Sequence, residues 1–403
     1  MIKRYIKRKI YINKVKPFID KDIIKVIVGQ RRVGKSYLLF QIMDLIKEED
    51  KTANIIYINK ELNEFEKIRN YQDLLEYVKK EENKKAKNYL FVDEIQDIDK
   101  FEKALRSLKA EGKYDIYCTG SNADLLSGEL ATYLSGRYIE IKVFSLSYLE
   151  FLDFHKLENS QESLLKFIKY GGMPYLMNLD LSDEIIYGYL KSVYNTIILK
   201  DVVNRYKIRN INFLDNLIEY LADNVGSLVS AKKISDFLKS QKIKISPNIV
   251  LDYLSFLVNA FFVFKVLRSD VQGKKVFEVN NKYYFEDLGL RHSVVSYRQT
   301  DINKILENLV FSHLQVLGYQ VTVGQLEDKE IDFVCEKHDK KMYIQVAYKI
   351  TDENKKREFE NLLEIKDNYP KMVVSMDDIK GESEYKGIKH INVIDFLSID
   401  TIT

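Results

Sequence analysis

Residues 23–36 read IIKVIVGQRRVGKS, and the architecture of the N-terminal part of the chain follows from them. The apolar run Ile23–Val28 predicts a buried strand. Gly29-Gln30-Arg31-Arg32-Val33-Gly34-Lys35-Ser36 then fits G-x-x-x-x-G-K-[ST] without departure, and a helical pattern over 36–47 follows it. Strand, glycine-rich turn and helix are the context such a loop needs. The glycines let the backbone curl so that its N–H groups face phosphates, and the helix N-terminus adds partial positive charge there. The expected nucleotide-binding residues are Gly29, Gln30, Arg31, Arg32, Val33, Gly34, Lys35, Ser36 and Tyr37. Lys35 is expected to reach the outer phosphates, and Ser36 to offer a hydroxyl to Mg²⁺.

The neighbouring sequence supports this reading. Short apolar strands at 54–58, 89–92, 115–119 and 138–143 alternate with helical patterns at 71–80 and 100–109. Alternation of that kind predicts a parallel sheet covered on both faces, an α/β fold. The strand Tyr89-Leu90-Phe91-Val92 ends in Asp93-Glu94. Asp93 is expected in the Mg²⁺ shell, and Glu94 as the group that orients and activates the attacking water. The next strand ends Thr119-Gly120-Ser121-Asn122. Asn122 or Ser121 is read as a sensor of the terminal phosphate, against the plainer reading that both shape a turn. Arg137 precedes the fifth strand. It is either an arginine finger for a neighbouring subunit's nucleotide or a surface residue.

Further along, residues 146–206 turn helical around Gly171-Gly172-Met173-Pro174, a helical extension of lid type. Residues 207–287 give helix, turn, helix, hairpin, which is the order of a winged helix. Within 205–285 there are 13 Lys/Arg and 7 Asp/Glu. Lys239, Lys242 and Lys244 fall on the turn, and Lys274 and Lys275 at the expected wing tip. Such a cluster suits phosphate backbones. The second helix is apolar and poor in side chains that read bases, so backbone or shape readout is expected rather than sequence-specific contact. The competing reading is a protein-interaction or packing module.

Residues 288–403 form a last α/β unit. Glu307 on a helix, Asp332 on a strand and Gln345 on the next strand have the order of a restriction-endonuclease-like core. That chemistry needs acidic groups to hold Mg²⁺ and a lysine to assist the attacking water. Here the motif ends Gln345-Val346-Ala347, so its lysine is missing. Lys349 is the candidate substitute, and an inactive vestige of a nuclease is the expectation.

At 403 residues with 46% hydrophobic and 31% charged residues, the chain is composed for about two to three packed domains. Cys118 and Cys335 alone make neither a zinc cluster nor a disulfide framework, which fits a reducing cytoplasm. No apolar run of membrane-spanning length occurs, so no membrane association by a span is expected. The net charge of +3 hides a basic start, with seven Lys/Arg and no acid in residues 1–16. That arm is read either as an anion contact or as a segment packed on the first domain.

The stretches GQRRVGKS, YLFVDEIQ, CTGSN, LSGRYIEIKVFSLSYLEF, YGGMPYL and TIILKDVVNRY together resemble the bacterial and archaeal AAA+ ATPases close to the STAND NTPases. They cover about residues 20–206 in matching order. The C-terminal units are similar to that family's winged helix and nuclease-like domain. Phe144-Ser145-Leu146-Ser147 departs from the family's more usual Pro-Leu-Ser. The resemblance implies ATP as ligand, Mg²⁺, assembly into a homo-oligomer such as a hexameric ring, and catalytic strands inserted within the sheet. It divides the chain into an ATPase core (1–145), a lid-like extension (146–206), a winged helix (207–287) and the nuclease-like unit (288–403). Three functional readings follow. The first is a DNA-coupled ATP hydrolase acting on duplex or branched DNA. The second is a STAND-like switch acting on a protein partner. The third and weakest is an ATP-gated nuclease that depends on Lys349.

Overall fold

A computed structural model describes residues 5–126, 134–240, 242–271, 276–377 and 383–399. The chain divides into two compact units, Met1–Phe144 with Asn259–Phe261, and Ser145–Val258 with Phe262–Thr403.

In the first unit the basic start forms helix α1 (Lys9–Val15). The strands β1 (Ile24–Val28), β2 (Asn54–Asn59), β3 (Asn88–Asp93), β4 (Tyr114–Gly120) and β5 (Tyr138–Lys142) build one sheet in the order β2-β3-β4-β1-β5. All neighbours run parallel. The helices α2 (Lys35–Glu49), α3 (Tyr71–Glu81) and α4 (Phe101–Glu111) form the crossovers. Every residue of β1, β3 and β4 is buried, as a central parallel strand requires. The sheet core therefore also holds polar residues. Lys25 is fully buried, and its charge is met by Asp115 on β4, which also accepts the Tyr117 hydroxyl at 2.9 Å. Because β4 lies between β1 and β3, the ends of these three strands meet beside the phosphate-binding loop. The sheet is that of a P-loop α/β domain.

The second unit opens with α5 (Tyr148–His155), α6 (Gln161–Tyr170) and α7 (Asp183–Thr196), and a π-helical stretch, Ile197–Asn204, continues α7. The Gly171-Gly172 pair has a packing reason. Gly171 has φ of +76°, and a Cβ there would stand 2.4 Å from a carboxylate oxygen of Asp287. The Gly172 N–H donates to that same carboxylate at 2.7 Å.

Then come α8 (Ile211–Asp223), α9 (Ala231–Ser240), α10 (Pro247–Asn259), β6 (Val263–Asp270) and β7 (Val276–Phe285), in the expected order of helices and hairpin. After α11 (Leu288–Val295) and α12 (Ile302–Val316) follow β8 (Gln320–Leu326), β9 (Lys329–Lys337), β10 (Lys340–Ala347), α13 (Asp352–Leu363), β11 (Lys371–Ser375), β12 (Ser383–Tyr385), β13 (Ile388–Asn392) and α14 (Val393–Leu397). The hairpin does not stand apart as a wing. Its strand β6 pairs in parallel with β8, and one eight-stranded sheet runs β12-β13-β11-β10-β9-β8-β6-β7. The divisions expected at 206/207 and 287/288 thus fall inside one compact unit. Among the described residues no helix is long and apolar enough to cross a membrane.

Candidate functional site

The loop after β1 holds Gly29 at φ +154°, Arg32 at +73° and Gly34 at +98°. Gly29 has no room for a side chain, since a Cβ would lie 2.1 Å from the Val143 carbonyl oxygen. Gly34 caps α2 without any side-chain hydrogen bond, so the first N–H groups of the helix stay with the loop. Gln30 and Val33 are fully buried, Arg31 is nearly so, and Arg32 and Tyr37 are exposed. Lys35 is buried at the base of the loop. Its Nζ donates to the carbonyls of Gly29 at 3.0 Å and Gln30 at 2.9 Å, and stands 3.9 Å from Glu94 Oε1. Arg31 pairs with Glu61 at 3.0 Å.

Asp93 ends β3 inside the sheet. Burial pushes its carboxyl up from the ordinary range, against hydrogen bonds from Ser36 and Thr119 that pull it down. Ser36 and Asp93, the pair expected at Mg²⁺, are therefore neighbours at the start of the phosphate-loop helix. A hydroxyl beside a carboxylate at the start of the phosphate-loop helix is an oxygen donor set that suits a small hard cation. Glu94 sits in left-handed backbone at φ +57°, a strained state for a non-glycine residue and one that turns its side chain toward Lys35. Burial acts to raise its carboxyl. The charges of Lys35 and Arg31, with hydrogen bonds from Gln96 and Ser121, more than reverse this and hold it below the usual range. Two adjacent carboxylates are thus pushed in opposite directions, with Glu94 kept ionised.

Three contributors escaped the sequence reading. Thr119 takes the Glu94 backbone N–H at 3.0 Å on its hydroxyl, and donates that hydroxyl to Asp93. Gln96 donates to the Glu94 carboxylate. Arg8, from the basic start, is buried with its guanidinium donating to the carbonyls of Val33 and Phe144, each at 2.9 Å. It clasps the phosphate loop from behind. Of the two candidate sensors, Ser121 donates to Glu94 at 3.2 Å, while the Asn122 Oδ1 accepts the Asp124 N–H at 2.7 Å and shapes the turn. Arg137 is exposed on the turn before β5.

The basic cluster of the second unit is only partly within view. Lys239, Lys242 and Lys244 are exposed around the α9–α10 turn, and Lys242 has φ of +67°. Lys274 and Lys275 lie outside the described residues. The helix α10 buries Val250, Leu254 and Leu257, and leaves Ile249 and Leu251 exposed.

Glu307, Asp332 and Gln345 do come together. The Gln345 Oε1 accepts the Asp332 N–H at 3.3 Å, and Asp332 Oδ2 accepts the Val346 N–H at 2.9 Å. Lys349 does not join them. Strand β10 ends at Ala347, and the exposed Lys349 ammonium lies 5.6 Å over the Tyr348 ring. The reading of Lys349 as sharing the strand face of Gln345 is corrected accordingly. The ammonium that reaches the carboxylates belongs to Lys282, on β7.

Fold and site define a P-loop AAA ATPase-type α/β domain followed by a second unit built on a mixed sheet. Comparison with known proteins agrees. Residues 21–152 match a family model described as an AAA domain, and residues 161–301 match one described as a domain of unknown function. An uncharacterized protein of Haemophilus influenzae is 38% identical over 98% of this chain and 100% of its own length. An uncharacterized protein of Methanocaldococcus jannaschii is 33% identical over 83% of this chain and 77% of its own. The chain belongs to the family these two proteins represent. Among solved structures, a Walker-type ATPase of Pyrococcus abyssi superposes with a TM-score of 0.51 at 16% identity, over 72% of this chain and 96% of that one. That likeness concerns the fold.

Proposed function

We propose that this protein is a Mg²⁺-dependent ATP hydrolase that works as a homo-oligomer of ring type and couples turnover to binding or remodelling duplex or branched DNA. The observation that carries the hydrolase reading is the gathering of Lys35, Ser36, Asp93, Glu94 and Thr119 at the ends of three adjacent strands. The loop N–H groups and Lys35 bind and orient the phosphates. Mg²⁺, held by Ser36 and Asp93, would neutralise charge building up on the phosphate oxygens. Glu94, kept ionised by Lys35 and Arg31, accepts a proton from the attacking water. Its strained backbone and its bonds from Gln96 and Ser121 orient it for that task.

The exposed Arg137 supports the oligomeric part of the reading, because an arginine on this turn is available to a neighbouring subunit's nucleotide. Lys239, Lys242 and Lys244 support the DNA part. One observation favours a second reading, an ATP-dependent switch that acts on a protein partner. Ile249 is 41% and Leu251 52% exposed on α10, an apolar surface better suited to protein than to phosphates. The steady-state ATPase rate, alone and with single-stranded, duplex and four-way-junction DNA, separates the two. Lys35→Ala is the blank. Stimulation by one DNA form supports the coupled hydrolase. A slow rate that no DNA moves supports the switch and removes the DNA coupling.

A further inference from the structure

The C-terminal sheet holds a cation of its own. Lys282 enters from β7 with its side chain 3% exposed. Its Nζ lies 2.6 Å from Glu307 Oε1 on α12, 2.8 Å from Glu330 Oε1 and 3.7 Å from Asp332 Oδ1, both on β9. The Tyr284 hydroxyl, one position along the same strand face from Lys282, also donates to Glu307. An ammonium has three donors, and here three carboxylates surround it. Two of these carboxylates, Glu307 and Asp332, are the ones that the restriction-endonuclease-like pattern assigns to Mg²⁺.

A divalent cation would need the same oxygens at about 2.0–2.6 Å. It cannot share their centre with an ammonium, because like charges at that separation repel strongly. The residues present therefore do not fit a resident metal ion. Among the described residues, indeed, no three His, Cys, Asp or Glu side chains are arranged to hold one. We propose that Lys282 is a built-in substitute for the divalent cation that a restriction-endonuclease-like core would hold, and that the C-terminal sheet is thereby a closed, non-cleaving module.

The protonation states agree. Burial alone would lower Lys282, and the charges of Glu307, Asp332 and Glu330 more than reverse it, so the ammonium stays charged. The inference concerns the second unit alone and stands or falls independently of ATP hydrolysis.

The test uses the full chain without nucleotide, with Mn²⁺ as the probe and bound ion counted by electron paramagnetic resonance. Lys282→Met keeps the apolar stem and removes the charge. The variant is expected to bind one Mn²⁺ per chain beyond the native protein, about tenfold or more tighter than any site there. Adding Glu307→Gln is expected to abolish that extra ion. If Lys282→Met is unfolded as purified, millimolar Mn²⁺ is expected to restore its melting transition, and Glu307→Gln to restore it without metal. A folded Lys282→Met chain with no extra Mn²⁺ overturns the proposal. So does an unfolded one that Mn²⁺ leaves unfolded, or a native chain whose own Mn²⁺ is lost on Glu307→Gln.

Discussion

The ammonium of Lys35 stands 3.9 Å from the carboxylate of Glu94, although the two residues come from different strand ends of a sheet in which β4 separates β1 from β3. This contact, with the Arg31 charge and the hydrogen bonds from Gln96 and Ser121, holds Glu94 ionised while burial raises its neighbour Asp93. Lys35 therefore serves two ends, phosphate binding and the charge state of the proposed base. Glu94→Gln is expected to lower the rate of ATP turnover by about 10²–10⁴-fold, with nucleotide binding retained. Lys35→Ala is expected to lose both. Single-turnover kinetics with nucleotide titration by calorimetry distinguish the two, and full turnover by Glu94→Gln would refute the assignment.

Thr119 bonds two catalytic-strand groups at once, taking the Glu94 N–H and giving its hydroxyl to Asp93. Thr119→Val keeps the shape and removes both bonds. A buried group left unpaired costs about 1–3 kcal/mol. The expected result is a modest loss of stability and a fall in kcat larger than the rise in KM. Thr119→Ser, which keeps the hydroxyl, is expected to recover most of the rate.

Arg8 supports the phosphate loop through the Val33 carbonyl and the end of the first unit through Phe144. Arg8→Met leaves two buried carbonyls unpaired, a cost of roughly 2–6 kcal/mol. Chemical denaturation of the variant is expected to show that loss in the first unit, together with weaker ATP binding. Unchanged ATP affinity would limit Arg8 to a structural part.

All five histidines follow residue 144, so the first unit has none. Burial pushes His155 and His313 down to about 4 and His292 down to about 3, with the Arg291 charge adding to the last. Each is neutral when folded and takes a proton near 6.5 when unfolded. Stability from these groups is complete above about pH 6.5 and is lost as pH falls toward 4, where the unfolded chain binds more protons. His313 alone accounts for roughly 3 kcal/mol across that window. The second unit is therefore expected to melt before the first on acidification. His313→Gln is expected to flatten the pH dependence of its unfolding.

Under the DNA-coupled reading, Lys239, Lys242 and Lys244 bind phosphates. Their combined change to Gln is expected to weaken binding to every DNA sequence alike. The plot of log affinity against log salt should become shallower by roughly 0.9 for each phosphate that the variant no longer neutralises. Weakening confined to one sequence would contradict backbone readout.

Much of the first unit is legible in the residues. The run 23–36 announces strand, loop and helix because a phosphate loop is a local object, built from consecutive residues and from φ values only glycine adopts freely. Asp93 and Glu94 are legible because they end an apolar strand. Thr119 is not, since nothing local marks a threonine inside a strand as a bridge. Its importance comes from β4 lying between β1 and β3. Arg8 is hidden in a basic stretch where each charge looks solvated. In the C-terminal unit, Asp332 and Gln345 are hydrogen-bonded and Glu307 and Asp332 both face Lys282, while Lys349 lies beyond the end of β10. It follows Gln345 by only four residues, yet its ammonium lies over the Tyr348 ring.

Periodicity and motif spacing suffice for the parallel sheet, the phosphate loop and the order of the later elements, because each depends on neighbours within a few residues. Long-range polar partners come from the folded chain. Of 63 Lys and Arg residues, the sequence marks Lys35 by its motif and gives no sign that Lys282 ends inside an acidic cluster. Lys282 falls within the basic stretch that reads as a winged helix, yet β7 joins the C-terminal sheet and carries it to Glu307, Glu330 and Asp332. An ion pair forms where strand order and burial bring opposite charges together, and strand order is a property of the whole fold.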